Sequence, residues 1–253
     1  MKIAVVGGTG QVGSEVAAQI EGLGHEAVIV SRSAGVDVAS GSGLAAALSG
    51  VDAVIDVSNT SAQDPQGILD FFSSAGRNIG ETAAAAGVRN VVLLSIIGID
   101  EAHGYPHFAG KAAQERALAA SGAPYTVLRA AQFFEFAADV AGWGDTGDHS
   151  DVPPLLMQPV SIRETAAYLI ELALGEPVGG VVEIAGPDRV DLVDAARRTL
   201  AARGEERTLV PSWRESGFGV EMAGDLLLPN PGARIASDRF ADWLAAGAKP
   251  TAR

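Results

Sequence analysis

The sequence predicts an α/β fold. A doubly wound parallel sheet is expected in residues 1–135, and a smaller C-terminal lobe for substrate in residues 136–253, packed over the carboxyl ends of the strands as one compact unit. Three observations predict it. Short apolar runs alternate with helical patterns from residue 3 to about residue 130. The runs are apolar on both faces, as strands of a covered parallel sheet must be. The first strand-to-helix junction, Gly7-Gly8-Thr9-Gly10-Gln11-Val12-Gly13, has glycines at GxxGxxG spacing.

Ile3–Val6 is the first strand, and Gln11 to about Glu21 the first helix. Glycine permits positive φ and close backbone approach in the turn between them. The helix N-terminus offers unpaired amides and a partial positive charge, and no acid precedes Glu15. The turn with Thr9, Gln11 and Val12 is therefore expected to hold a dinucleotide pyrophosphate. Glu26–Ser31 is the second strand. An NAD site places an acid near its end, about 20 residues past the glycines. Here the strand ends Ser31-Arg32-Ser33, with no acid before Asp37. A guanidinium and hydroxyls suit a 2′-phosphate, so NADP is expected over NAD.

Val36-Asp37-Val38 reads as a short third strand, with Asp37 and Val38 near an adenine edge. Leu44–Leu48 is a short helix. Val51–Val57 is a strand ending in Ser58-Asn59-Thr60, small polar residues suited to face a cofactor crevice. Asp64-Pro65 supplies an N-cap and an N1 proline for a long helix that Gly87 ends. Asn90–Ile97 is an apolar strand with Ser95 near its carboxyl end. A helix from His107 to Ala120 follows, and then a strand at Tyr125–Arg129.

Beyond Arg129 the pattern changes. Helices are expected at Ala131–Ala141, Arg163–Leu174, Leu192–Ala202 and Arg239–Ala246. A strand is expected at Val181–Ile184, and a solvated loop rich in Gly, Asp and Pro at Gly142–Pro154, with a lid as its alternative. Phe133, Phe134, Phe136 and Trp143 read as core or pocket wall.

Composition narrows the function classes. No apolar run reaches the roughly 18 residues of a membrane span. The residues after Lys2 read as a strand rather than a signal peptide. The chain has no cysteine, which removes disulfides, thiolate metal sites and a cysteine nucleophile. A cytoplasmic protein is expected. The net charge of −13 argues against nucleic acid and anionic membranes as partners. A small-molecule substrate and a monomeric or homodimeric state are expected. His103 and His107 have HxxxH spacing, but Gly104 and Pro106 interrupt it. Asp145, Asp148 and Asp151 lack calcium-loop spacing. No metal site is expected.

Lys111 and His107 carry the candidate chemistry. They stand four residues apart on one helical face. Lys111 is placed to bond a nicotinamide ribose, with a surface ion pair to Glu115 as its alternative. An imidazole of ordinary pKa, about 6.5, exchanges protons near neutrality.

These motifs together resemble a known family. The glycine turn, Val92-Leu93-Leu94-Ser95-Ile96-Ile97-Gly98, Lys111-Ala112-Ala113-Gln114-Glu115 and Leu128-Arg129-Ala130-Ala131-Gln132-Phe133 match the atypical short-chain dehydrogenases/reductases of the NmrA-like, NAD(P)H-binding branch. The likeness covers about the first 135 residues. It continues loosely through Gln158-Pro159-Val160 and Ala185-Gly186-Pro187. It implies a Rossmann-type sheet, with Ser58 and Ser95–Ile97 lining the nicotinamide side. Lys111 would sit at the nicotinamide ribose, with Ala130, Gln132 and Phe133 beside the ring. The family's catalytic pair is Tyr-x-x-x-Lys, and the position four before Lys111 is His107. Tyr105 is the nearest tyrosine. Either His107 substitutes, Tyr105 reaches in, or the protein does not catalyse. The leading expectation is an NADP(H)-dependent oxidoreductase of a small carbonyl, quinone or enone-like compound. A non-catalytic dinucleotide sensor is the alternative, with a nucleotide-sugar-type epimerase or dehydratase behind it.

Overall fold

The computed structural model describes residues 1–102, 104–214 and 218–248. In chain order the elements begin with β1 (Lys2–Val6), α1 (Gln11–Gly22), β2 (Glu26–Val30), α2 (Leu44–Ala47) and β3 (Ala53–Asp56). Then come α3 (Pro65–Ala86), β4 (Asn90–Ile96), α4 (Pro106–Ala119), β5 (Tyr125–Ala130) and α5 (Phe136–Trp143). The chain continues through β6 (Ser150–Val152), β7 (Leu156–Met157), α6 (Ile162–Leu174), β8 (Val181–Ala185) and β9 (Val190–Asp191). It ends with α7 (Leu192–Arg203), β10 (Leu209–Pro211), β11 (Arg234–Ile235) and α8 (Phe240–Ala245). No helix among the described residues is long and apolar enough to cross a membrane.

The chain groups into two compact units. Among the described residues, the first is Met1–Arg129 with Thr165–Val182, and the second is Ala130–Glu164 with the chain from Glu183 to residue 248. In the first unit the strands run β5-β4-β3-β1-β2, with the first two residues of β8 beyond β5. β1 pairs parallel with both β2 and β3, and β3 pairs parallel with β4. The chain therefore leaves β1 to one side for β2 and to the other for β3. That reversal makes the carboxyl ends of β1 and β3 the edges of a crevice, the place where ligands bind in open α/β sheets. Val6, Val30, Val54, Val91 and Leu93 of the sheet bury against Ala75, Ile79 and Ala83 of α3 and against Leu118 of α4. The fold class is the Rossmann-type doubly wound α/β fold that the alternating pattern predicts.

In the second unit β11 pairs parallel with the end of β8, β10 with β6, and β7 antiparallel with β9. Phe134, Phe240 and Trp243 form an aromatic cluster with centroids 5.5–5.7 Å apart.

Several local expectations are corrected. Val36–Val38 is not a strand. A single 3₁₀ turn at Arg32–Ala34 precedes it, and only an antiparallel bridge from Asp37 to Ser42 forms there. The helix expected from Ala131 starts at Phe136, because Phe133 bridges in parallel to Val160 and holds the chain extended. The Gly142–Pro154 segment is not all loop, since it contains β6. Within it Asp145 pairs with Arg207 at 3.0 Å, and Asp151 with His149 at 3.4 Å. Trp143 is no core residue. It is 61% exposed and meets only the edge of Phe136 among the aromatic rings described. His103 lies outside the described residues, so the His103–His107 spacing has no placed geometry.

Candidate functional site

The glycine turn is shaped by backbone sterics. Gly7 has φ +79°, and a Cβ there would stand 2.9 Å from the Val57 carbonyl oxygen and 3.1 Å from Ser58 Cα. A Cβ on Gly13 would overlap the Gly7 carbonyl oxygen and lie 2.7 Å from Gly8 Cα. Helix α1 therefore rests directly on the turn. The Gly7 amide donates to the Val30 carbonyl at 2.9 Å, and the Gly10 amide to the Gly7 carbonyl at 3.0 Å. Gly10 caps α1 without a side-chain hydrogen bond, and its first turn carries no acid. Thr9 and Gly10 are exposed, Gln11 and Val12 half-buried. An uncapped amide end of this kind attracts an anion.

Arg32 and Ser33 stand exposed just past β2, and the Ser31 and Ser33 hydroxyls bond at 2.9 Å. The Asp37 carboxylate is engaged within its own loop. It accepts from the Ser40 hydroxyl at 2.8 Å and the Ala39 amide at 3.0 Å. Those bonds, Ser40 first, hold its pKa below the usual carboxylate value, and Arg32 adds to them. Val38 is buried, and its carbonyl accepts from Asn78 of α3 at 2.9 Å.

A buried polar array lies at the end of β3. The Asp56 carboxylate accepts from the Ser58 amide at 2.9 Å and from the Gln114 side-chain amide at 2.8 Å. That Gln114 amide also lies 3.4 Å from the Ser58 hydroxyl. The Gln114 carbonyl oxygen accepts from the Lys111 ammonium at 2.6 Å. Lys111 is 5% exposed, and its ammonium is 5.0 Å from the Phe72 ring centroid. Burial lowers its pKa to about 8, against the opposing pull of Asp56 and Glu115. His107 meets Phe72 edge-on at 5.1 Å. Burial first, then the Lys111 charge, lowers its pKa to about 4. The ring expected to titrate near neutrality is therefore neutral there.

Helix packing creates this arrangement. A Cβ on Gly76 of α3 would lie 2.6 Å from the backbone carbonyl oxygen of Gln114, and one on Gly110 of α4 2.6 Å from the Phe72 ring. With hydrogen at these positions the two helices close on each other and seat Phe72 against His107 and Lys111. Glu115 is not the hydrogen-bonding partner of Lys111. It bonds Arg129 at 2.8 and 3.0 Å, and Arg129 also bonds Asp100.

Ser95 is buried near the end of β4, and its hydroxyl has no partner among the described residues. Ile96 is half-buried and Ile97 buried. Asn59 is exposed and accepts from the Thr60 amide. Tyr105 caps α4, with its ring 6.2 Å from Phe108. In the second unit Ala130 and Gln132 are buried. The Gln132 backbone carbonyl accepts from the Val160 amide at 3.0 Å, and its side-chain oxygen has no partner among the described residues. Gln158 donates to the Gly186 carbonyl at 2.6 Å, so two separated motifs meet.

The first unit thus brings together Gly7, Ser58, Lys111 and His107. It adds Asp56 and Phe72, which lie in no quoted motif, and Gln114, which lies in one but had no role assigned to it. Asp56 had one visible signal, an acid closing a strand of apolar residues. Gln114 had another, its place one turn after Lys111.

A dinucleotide fits these residues. Gly7 and Gly13 of the cradle admit no side chain, the amide end beside them is uncapped, and the Ser95 hydroxyl is an unused donor.

Comparison with known proteins agrees. A family described as NAD(P)H-binding matches residues 7–172. A (4-alkanoyl-5-oxo-2,5-dihydrofuran-3-yl)methyl phosphate reductase from Streptomyces griseus is 29% identical over 245 residues, 89% of this chain and 80% of the relative. The photosystem II assembly factor Ycf39 of Synechocystis is 30% identical over 149 residues, 53% of this chain. The alignment spans 46% of that relative's length. A UDP-glucose 4-epimerase from Thermus thermophilus, solved with NAD, shares the fold with a TM-score of 0.68 at 17% identity, covering 99% of this chain and 94% of the other. The match over more than half its length makes this chain a member of the NAD(P)H-binding family.

Proposed function

We propose that this protein is an NADP(H)-dependent oxidoreductase acting on a small carbonyl, quinone or enone-like compound. One observation carries the reading. The phosphate-type turn after β1 touches the end of β3, where Gly7 abuts Val57 and Ser58, and the buried Lys111 array begins at that same strand end. A cradle for an anion and a conditional cation thus share one crevice. The Gly7–Gly13 amides would hold the pyrophosphate, and Arg32 with Ser33 the 2′-phosphate. Ser95, Ser58 and Lys111 would hold the nicotinamide half.

A bound nicotinamide supplies or accepts hydride. Lys111, with a pKa of about 8, holds a proton at neutral pH and releases it at modest cost. His107, at about 4, holds none to give. The absence of tyrosine four residues before Lys111 suits acceptors that need little protein acid, as quinones do. The reductase activity in the name of the Streptomyces griseus relative supports this direction. We assign the protein to the cytoplasm, as a monomer or homodimer with a small-molecule partner.

The test is NADPH consumption by purified protein across carbonyl, quinone and enone panels. Turnover that Lys111→Met lowers roughly 100-fold is expected. The packing of His107 in the tyrosine position favours a second reading, a sensor that binds dinucleotide without turnover. NADPH binding with no consumption across the whole panel would select it.

A further inference from the structure

We propose that Gln114 is a positioning residue whose amide, oriented by Asp56, holds the Lys111 ammonium in one place for the cofactor. The proposal deepens the reading above and rests on Lys111 facing that cofactor.

The argument is one of hydrogen-bond polarity. An ionised carboxylate only accepts, so the Gln114 group 2.8 Å from Asp56 is the amide nitrogen. The Gln114 carbonyl oxygen is thereby turned to Lys111, 2.6 Å away. That oxygen only accepts, so it claims one N–H of the amine whether Lys111 is charged or neutral. The remaining protons, or the lone pair of the neutral amine, point elsewhere. Gln114 is completely buried, so no water competes for either end of its amide. Asp56 is itself fixed by the Ser58 amide at 2.9 Å. A chain of fixed polarity therefore runs from the end of β3 to the amine.

Gln114 has no charge, so its part is separable from that of the charges around Lys111. Among the described residues those are Asp56 from β3, Glu115 from α4 and Arg129 from β5 behind Glu115, with His107 from α4 neutral. The Phe72 ring from α3 adds an uncharged face.

The test uses Gln114→Met, which keeps the volume and removes both bonds, and Gln114→Glu, which keeps an acceptor toward Lys111. Lysine labelled with ¹³C at Cε, assigned through Lys111→Met, is followed against pH in the cofactor-free protein. NADPH binding is measured by fluorescence on the same samples. For Gln114→Met the expected results are a Lys111 midpoint lowered by half a pH unit or more and a five- to twentyfold weaker NADPH affinity. Gln114→Glu should restore or raise the midpoint, because an acceptor again faces the amine. An unchanged Lys111 resonance and midpoint in Gln114→Met would overturn the proposal. If wild-type protein bound no NADPH, the function proposed above would fail, and the cofactor-free titration would still decide the role of Gln114. If Gln114→Met did not fold, Gln114→Glu would decide alone, and a midpoint below wild type in that variant would overturn the proposal.

Discussion

The Gly7–Gly13 turn and the Lys111–Gln114–Asp56 array stand at the ends of neighbouring strands and are built in opposite ways. The turn is backbone. Its shape comes from missing Cβ atoms, and its attraction for an anion comes from uncapped amides at the surface. The array is made of side chains. Residues 58 apart in sequence meet inside the protein, and burial makes the charge of Lys111 conditional on pH. The difference separates tasks. An anion already in water is met by dipoles that carry no ionisable group, so that end is indifferent to pH. The array instead offers a group that changes protonation near neutrality, a buried amine held at about 8, which suits the reactive role proposed for it.

Breaking the backbone end should have the largest effect. Gly13→Val puts a branched side chain against the Gly7 carbonyl. It is expected to lower stability by about 3 kcal/mol and NADPH affinity by roughly 100-fold, about 2.7 kcal/mol. Urea unfolding and calorimetry measure the two, and wild-type affinity in this variant would refute the steric argument. At the other end, Lys111→Met should reduce turnover roughly 100-fold while stability changes by only about 1 kcal/mol, because the same step that removes a buried charge strands the Gln114 oxygen. A stability loss of similar size to the rate loss would make Lys111 a structural residue.

His107 sharpens the contrast through pH. Its folded pKa of about 4 lies below its unfolded value near 6.5. The unfolded chain therefore binds the proton first. Stability from burying the neutral ring is full above pH 6.5 and is lost as pH falls toward 4. His107→Phe should remove roughly 2 kcal/mol of that acid-side loss, read as a flatter profile of urea midpoints. An unchanged profile would place the ring in water. Farthest from either end, Asp64→Ala deletes the α3 cap, where the Asp64 carboxylate accepts from the Gly67 amide at 2.7 Å. It should cost about 1 kcal/mol and leave NADPH affinity unchanged.

The same contrast explains what the sequence disclosed. The turn was legible because its determinants lie within seven consecutive residues, Gly7 to Gly13, between a recognisable strand and helix. The cap at Asp64-Pro65 was legible for the same reason. Asp56 and Gln114 were not, because their meaning depends on which strand ends lie beside which helix. The depressed His107 pKa was hidden too. It depends on Gly76 letting α3 and α4 close on each other and on Gly110 admitting Phe72, a property of two helices in contact. Past Arg129, the bridge from Phe133 to Val160 overrode a helical local pattern, as tertiary pairing often does.

The most direct test of the proposed NADP site is a calorimetric titration of NADPH and NADH into wild-type protein and Arg32→Ala. The expected result is that wild type binds NADPH at least tenfold more tightly than NADH. Arg32→Ala should erase that difference by weakening NADPH alone. Equal affinities in wild type, or a preference that survives the substitution, would contradict the assignment of Arg32 to the 2′-phosphate and of this crevice to NADP.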